Sequence, residues 1–175
     1  MSSYLYKIMN SEKKIPLAVR ALEEKDRSAI PPFLMAFWHS ERMVARGRIF
    51  FPARQDGIIA LRGDEIVGLA SFEISGGEME LTLLDSRERN QGLGTRLLEA
   101  LLEKARQAGC RRVWLVTTND NIRAIRFYQK RGFDLAKLHR NALEDSRKLK
   151  PEIPLNGQEG IPIRHELEFE LIPQL

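Results

Sequence analysis

Two short phrases in this chain carry residue types at spacings that could do chemistry: Arg89-Asn-Gln-Gly-Leu-Gly-Thr95, and, further on, Asn121-Ile-Arg-Ala-Ile-Arg-Phe-Tyr128. In the first, Gly92 and Gly94 come just before an apolar stripe of helical period, so they stand at the mouth of a helix. The unbonded N–H groups of a helix's first turn point outward, and the helix dipole adds roughly half a positive charge there, which suits an anion. Glycine at 92 and 94 removes the Cβ atoms that would hold a phosphate away from the backbone. Arg87, Arg89 and Arg96 add charge nearby. The phrase reads as a cradle for a phosphate or diphosphate, against the alternative of an ordinary strand-to-helix turn. A dinucleotide fingerprint, Gly-x-Gly-x-x-Gly, fails because position 97 is Leu, and the lysine of a P-loop is missing.

The elements that must position these phrases follow from hydrophobic period. Leu17 to Ala21 reads as a first strand, and Pro32 suits the first turn of a helix running to about Arg46, with Gly47 at its end. Ile58–Leu61 and Ile66–Ile74 flank a turn and predict a hairpin. Met79, Leu81 and Leu83 alternate with Glu78, Glu80 and Thr82, which is strand period. Leu97, Leu98, Leu101, Leu102 and Ala105 then make the helical stripe that follows the cradle, with Gly109 as terminator. Val113–Thr117 is a short strand, and a helix from Asn121 to Arg131 is closed by Gly132. Strands over Phe133–Leu138 and Ile163–Leu171 complete the pattern. The last of them alternates Glu166, Glu168 and Glu170 on one face, which reads as solvated. The connection from Arg140 to Gly160, with Pro151, Pro154 and Asn156-Gly157, is long for a compact domain, as functional or mobile segments are.

The chain has 175 residues, 43% hydrophobic and 30% charged, which suits one ordinary globular domain over 16–175 after an N-terminal extension at 1–15. No stretch approaches the roughly 18 consecutive apolar residues of a spanning helix, and the N-terminus lacks the signal-peptide pattern, so a cytoplasmic protein without membrane attachment is expected. The single cysteine, Cys110, reads as a small buried side chain where a strand begins. His39, His139 and His165 are scattered without ligand spacing, so no metal site is expected. A formal charge of +4, with acidic and basic residues mixed along the chain, does not point to nucleic acid.

Taken together, the two phrases resemble the GNAT superfamily of N-acetyltransferases. Arg89, Gly92 and Gly94 match its Arg/Gln-x-x-Gly-x-Gly/Ala cradle, and Asn121, Ala124, Phe127, Tyr128, Gly132 and Phe133 match its Asn-x-x-Ala-x-x-Phe-Tyr-x-x-x-Gly-Phe phrase. Asn90 stands where the family commonly has Gly, a position that Asn tolerates in a left-handed conformation. The resemblance implies an α/β (α+β) fold: a mixed, mostly antiparallel central sheet of six to seven strands with helices on both faces. It implies that the backbone of Arg89, Asn90, Gln91, Gly92, Leu93, Gly94 and Thr95 grips the pyrophosphate of acetyl-CoA. Thr82, Leu83 and Leu84 would hydrogen-bond the pantetheine arm, Asn121 would bind the cofactor arm, and Tyr128 would lie near the sulfur as general acid.

The reaction so implied is attack of a neutral amine on the thioester, with the oxyanion held by backbone N–H and the thiolate protonated as it leaves. Glu78 and Glu80, on one face of the strand leading to the thioester, are candidates for the base, against a bland reading as solvated strand residues. Acceptor specificity is expected in the Phe33–Arg48 region, with Phe37, Trp38, His39 and Glu41, and in residues 141–160, which are expected to cover the acceptor site. Arg147-Lys148-Leu149-Lys150 reads as a solvated run. The expected partners are acetyl-CoA and an amine acceptor, on a monomer or homodimer. A non-catalytic acyl-CoA sensor of the same fold is the alternative.

Overall fold

The computed structural model of the chain describes residues 16–88 and 91–173; the expected extension at 1–15, and Arg89 and Asn90 of the cradle, lie outside them. Strands β1 (Leu17–Ala21), β4 (Asp56–Arg62), β5 (Glu65–Ser75), β6 (Glu78–Ser86), β7 (Arg112–Thr118), β8 (Asp134–His139) and β9 (Glu166–Leu171) form a seven-stranded sheet in the order β1-β4-β5-β6-β7-β9-β8. Every neighbouring pair is antiparallel except β6 with β7. A separate hairpin joins β2 (Met43–Ala45) and β3 (Arg48–Phe50). The helices are α1 (Ile30–Trp38), α2 (Leu93–Gln107), α3 (Ile122–Gln129) and α4 (Ala142–Leu149).

The sheet buries both faces, and alternation along β4 shows how. Ile58 and Ala60 join a cluster with Leu97, Leu98, Leu101 and Ala105 of α2, whereas Ile59 joins Ile30, Phe33 and Leu34 of α1. Of the stripe that the sequence assigns to α2, Leu97, Leu98, Leu101 and Ala105 are buried and Leu102 is partly so, and Cys110 is buried just before β7. Where α2 ends, the Cys110 N–H donates to the Ala105 carbonyl at 2.9 Å, satisfying an otherwise free helix-end acceptor. None of the helices among the described residues is long and apolar enough to cross a membrane.

Three expectations are corrected. The helix predicted to run to Arg46 stops at Trp38, because His39 turns left-handed at φ 48°. Residues 43–50 form the β2–β3 hairpin, whose Arg46-Gly47 turn has φ of 51° and 65°, the signature of a two-residue hairpin turn. The glutamate face of β9 is not solvated: Glu166 and Glu168 are buried, because β9 is an inner strand between β7 and β8 and the β2–β3 hairpin and α4 reach over it. There Arg112 pairs with Glu168 and Glu170, both at 2.6 Å, and His139 lies 2.7 Å from Glu168. The run from Arg147 to Lys150 is also only partly solvated. Lys148 is exposed beside Asp145, but Arg147 donates to the carbonyls of Ile153, Pro154 and Ile163, and Lys150 is half-buried against the Arg42 carbonyl.

Candidate functional site

The site begins where the sheet comes apart. β6 and β7 pair in parallel at Glu78–Arg112, Met79–Val113 and Glu80–Trp114 only, and then diverge while β6 continues to Ser86 and β7 to Thr118. From Leu81 onward β6 has β5 on one side and no strand on the other. A bulge sits at this point: Phe72 pairs with Leu81 and Ser71 with Leu83, leaving Thr82 as an extra residue. The extra residue sends Leu81 into the α2 cluster and Leu83 into the α1 cluster, so it re-aims the strand between its two faces. The Thr82 hydroxyl is held 2.8 Å from Gln55 Oε1 and 2.9 Å from Ser71 Oγ.

On one side of the gap lies a cleft of about 410 Å3, floored by Leu84–Ser86 and walled by Gly92–Thr95 of α2 and by α3. Gly92 caps α2 at φ 77°, a conformation that favours glycine, and its carbonyl accepts the Arg96 N–H at 3.1 Å. The N–H groups of Leu93, Gly94 and Thr95, one turn earlier, have no acceptor within the helix. Beside them Arg131 lies flat over the Phe127 ring at 3.6 Å, donates to the Phe127 carbonyl at 2.8 Å and to Thr95 Oγ1, and leaves its buried Nε without a partner. Arg131 thus brings a fixed positive charge to the helix start. The sequence reading did not single it out; the signal was its position four residues after Phe127, one helical turn on. Arg87, by contrast, is turned away, stacked on Phe33 and Phe37 and paired with Glu65 at 2.6 Å.

Tyr128 lies in the same cleft, 7% exposed, edge-on to Phe127 and Phe133 at ring separations of 5.1 and 5.5 Å. Burial pushes its phenol well above the usual range, and the charge of Arg131 opposes this only in part. Asn121 caps α3, its side-chain oxygen accepting the Ala124 N–H at 3.2 Å, as the sequence signature of a helix start implies.

A second cleft, of about 660 Å3, opens on the other side of the gap and shares Trp38, Asn121 and Gln158 with the first. Thr82 and Leu83 face it, while Leu84 faces the first. Trp38 spans the junction, its indole N–H donating to Asp85 at 2.8 Å. His39 also lines the second cleft, whereas Phe37 and Glu41 line neither. Residues from the 141–160 connection form part of its wall, and Asp120 holds them there: Asp120 accepts from Thr118 Oγ1 at 2.5 Å and from the Gln158 N–H at 3.1 Å. Gly157 permits that approach, since a Cβ there would stand 1.8 Å from Asp120 Oδ2.

The two expected base candidates are not brought into either cleft. Glu78 sits at the closed end of the β6–β7 pair, bound by Arg111 and Arg112 at 3.0 and 3.2 Å, and these hydrogen bonds hold its carboxyl below the usual range. At about 3.3 Å per residue it is on the order of 20 Å along β6 from Leu84. Glu80 is 8% exposed and 3.2 Å from Arg48; burial raises its pKa against that partner. The carboxylates that do line the second cleft beneath its surface are Asp120, 5% exposed, and Glu166, 2% exposed.

Comparison with known proteins gives a consistent result. The chain matches the Acetyltransferase (GNAT) family over residues 18–133. It is 43% identical over 141 residues to the uncharacterized protein YdhI of Bacillus subtilis (strain 168), covering 80% of this chain and 88% of that one. The backbone superposes on an IAA acetyltransferase from Bacillus cereus ATCC 14579 with a TM-score of 0.70 at 21% identity, over 90% of this chain and 99% of that one. It also superposes on a GNAT family acetyltransferase from Elizabethkingia anophelis with acetyl-CoA bound, with a TM-score of 0.64 at 17% identity, over 89% and 97% of the two chains.

Proposed function

The chain belongs to the GNAT acetyltransferase family, and from that premise we propose that it transfers an acetyl group from acetyl-CoA to a primary amine of a small molecule, peptide or protein, by direct attack on the thioester. The observation that carries this reading is the junction of the clefts. An anion-ready helix start and a buried tyrosine share one cleft, and that cleft meets a second, larger one across the gap between β6 and β7.

Acetyl-CoA supplies an activated acyl carbon on a long arm that ends in a diphosphate. In the proposed roles, the N–H groups of Leu93, Gly94 and Thr95 and the charge of Arg131 hold the diphosphate, with Arg89, Asn90 and Gln91 completing the loop. The open space over Gly92 is a feature that a bound phosphate would use. The free edge of β6 at Thr82, Leu83 and Leu84 offers backbone groups to the amide-bearing arm, as a neighbouring strand would. Asn121 lines the passage between the clefts. Tyr128 keeps its proton because burial disfavours the phenolate, so its hydroxyl is available to protonate the departing sulfur. With Glu78 and Glu80 committed to arginines outside the clefts, the proton of the incoming amine goes to water or to a carboxylate that lines the second cleft, Asp120 or Glu166.

The reading is tested by incubating the full chain with acetyl-CoA and a panel of primary amines, following free thiol and identifying products by mass spectrometry. Amine-dependent thiol release with one acetyl group added per product is expected. Saturable CoA binding with no turnover of any amine would instead make the protein an acyl-CoA sensor.

A further inference from the structure

Four carboxylates among the described residues are buried, and they differ in how their charge is met. Glu80 has Arg48 at 3.2 Å and Glu168 has Arg112 at 2.6 Å. Asp120 and Glu166 make no ion pair among the described residues, although the charges of His139 and Arg46 act on Glu166 from farther off, and both carboxylates line the second cleft. A carboxylate taken from water without a paired counter-charge is costly, so one that faces a cavity is a place where a cation would bind.

The two are not equivalent. Asp120 directs its oxygens to Thr118 Oγ1 and to the Gln158 N–H, and so is occupied in holding the cleft wall. Glu166 accepts the Arg46 N–H on both oxygens, at 3.1 and 2.9 Å, and the Ser146 hydroxyl at 3.4 Å. A carboxylate has about four lone-pair sites, so these contacts leave Glu166 able to accept more. Arg46 is in a left-handed conformation at φ 51°, so the backbone that presents this N–H is itself under constraint. Lys150, the one lysine on the cleft wall, has Glu152 and Arg42 as its charged neighbours. Much of the remaining wall, including Met43, Val44, Phe50, Leu83 and Ile163, is apolar.

We propose that Glu166 is the residue that recognises the acceptor, its carboxylate taking the acceptor's ammonium group while the apolar wall takes the body, so that the acceptor class is a protonated primary amine on an apolar frame. This rests on the acetyl-transfer reading of the site. The burial that raises the Glu166 pKa also suits the carboxylate to receiving a proton from that ammonium. The competing role, a mere anchor for the β2–β3 turn, is separable, because Glu166→Gln removes the charge and keeps one acceptor oxygen for the Arg46 N–H, the other oxygen becoming an amide NH2.

With an amine found in the acceptor panel, Glu166→Gln raises the amine KM by about ten- to a hundredfold, as loss of a charged hydrogen bond does, with the acetyl-CoA KM held. An unchanged amine KM, or a parallel rise in both KM values through collapse of the turn, overturns the assignment. A second measurement needs no variant: an alkyltrimethylammonium competes with the amine on the native chain about tenfold better than its tert-butyl isostere. Equal inhibition by the two isosteres also overturns the assignment. If no amine in the panel is turned over, the acetyl-transfer reading fails by itself, while thermal shift of the CoA-saturated chain with the isostere pair still reports on the cation site.

Discussion

Tyr128 is where a single atom can be tested against a packed ring. Replacing it with Phe keeps the edge-on contacts with Phe127 and Phe133 and removes only the hydroxyl. The expected outcome in steady-state kinetics is a kcat lowered on the order of a hundredfold with the acetyl-CoA KM little changed. A kcat within twofold of the native value would take Tyr128 out of the acid role. Tyr128, Asn121 and the two cradle glycines were legible because their spacing is fixed by one short helix and one turn. Glu166 was not, because a charged residue at an alternating strand position reads as solvated until the element that covers it is known, and Asp120 and Arg131 were not because they stand in turns, where no period marks a buried side chain. For Glu166 that covering comes from residues 46 and 146, far away in the chain.

At the scale of elements, the 157–158 turn is held against the end of β7 by Asp120, and Gly157 makes the approach possible. Gly157→Ala places a methyl within 1.8 Å of Asp120 Oδ2 and 2.9 Å of Ile163 Cδ1, so the turn must lift. The expected cost is about 1–3 kcal/mol of overpacking, seen as faster hydrogen exchange over 150–160 and a higher amine KM. The acetyl-CoA KM should hold, and equal exchange in the two proteins would show that the turn is not seated by this contact. The connection looked featureless in sequence because α4 buries only Leu143 and Ser146, too little period to read as a helix. The overlong first helix has the opposite cause: apolar residues from Phe33 to Val44 suit a helix, but a left-handed His39 and an Arg-Gly turn break the run. Both are decided by backbone conformations that period does not encode.

At the scale of the whole molecule, Arg112 ties three strands together, reaching Glu78 on β6 and Glu168 and Glu170 on β9. Burial alone would raise the Glu168 pKa; hydrogen bonds from Arg112 and His139 outweigh it and hold that carboxyl below its usual value. A carboxylate with a depressed folded pKa adds stability that is present above its unfolded pKa and is lost as pH falls through the folded value. Arg112→Met is therefore expected to cost about 3 kcal/mol at neutral pH by stranding buried charge. In thermal melts the gap between native and variant proteins should narrow as pH falls through the usual glutamate range and on through the lower folded value of native Glu168, where its carboxylate at last takes up a proton. A gap that is constant across pH would mean that packing, not charge, is what Arg112 supplies. The order of strands and helices was readable from period and turn residues, whereas the single parallel pairing and its early end were not, since no residue of β6 announces that its partner will leave after Glu80. That early end leaves the molecule with a seam: from Leu81 to Ser86 the sheet is one short strand from being closed. An extended ligand laid into the seam would finish the architecture as well as undergo the chemistry, so the reactant would serve as a removable piece of the fold.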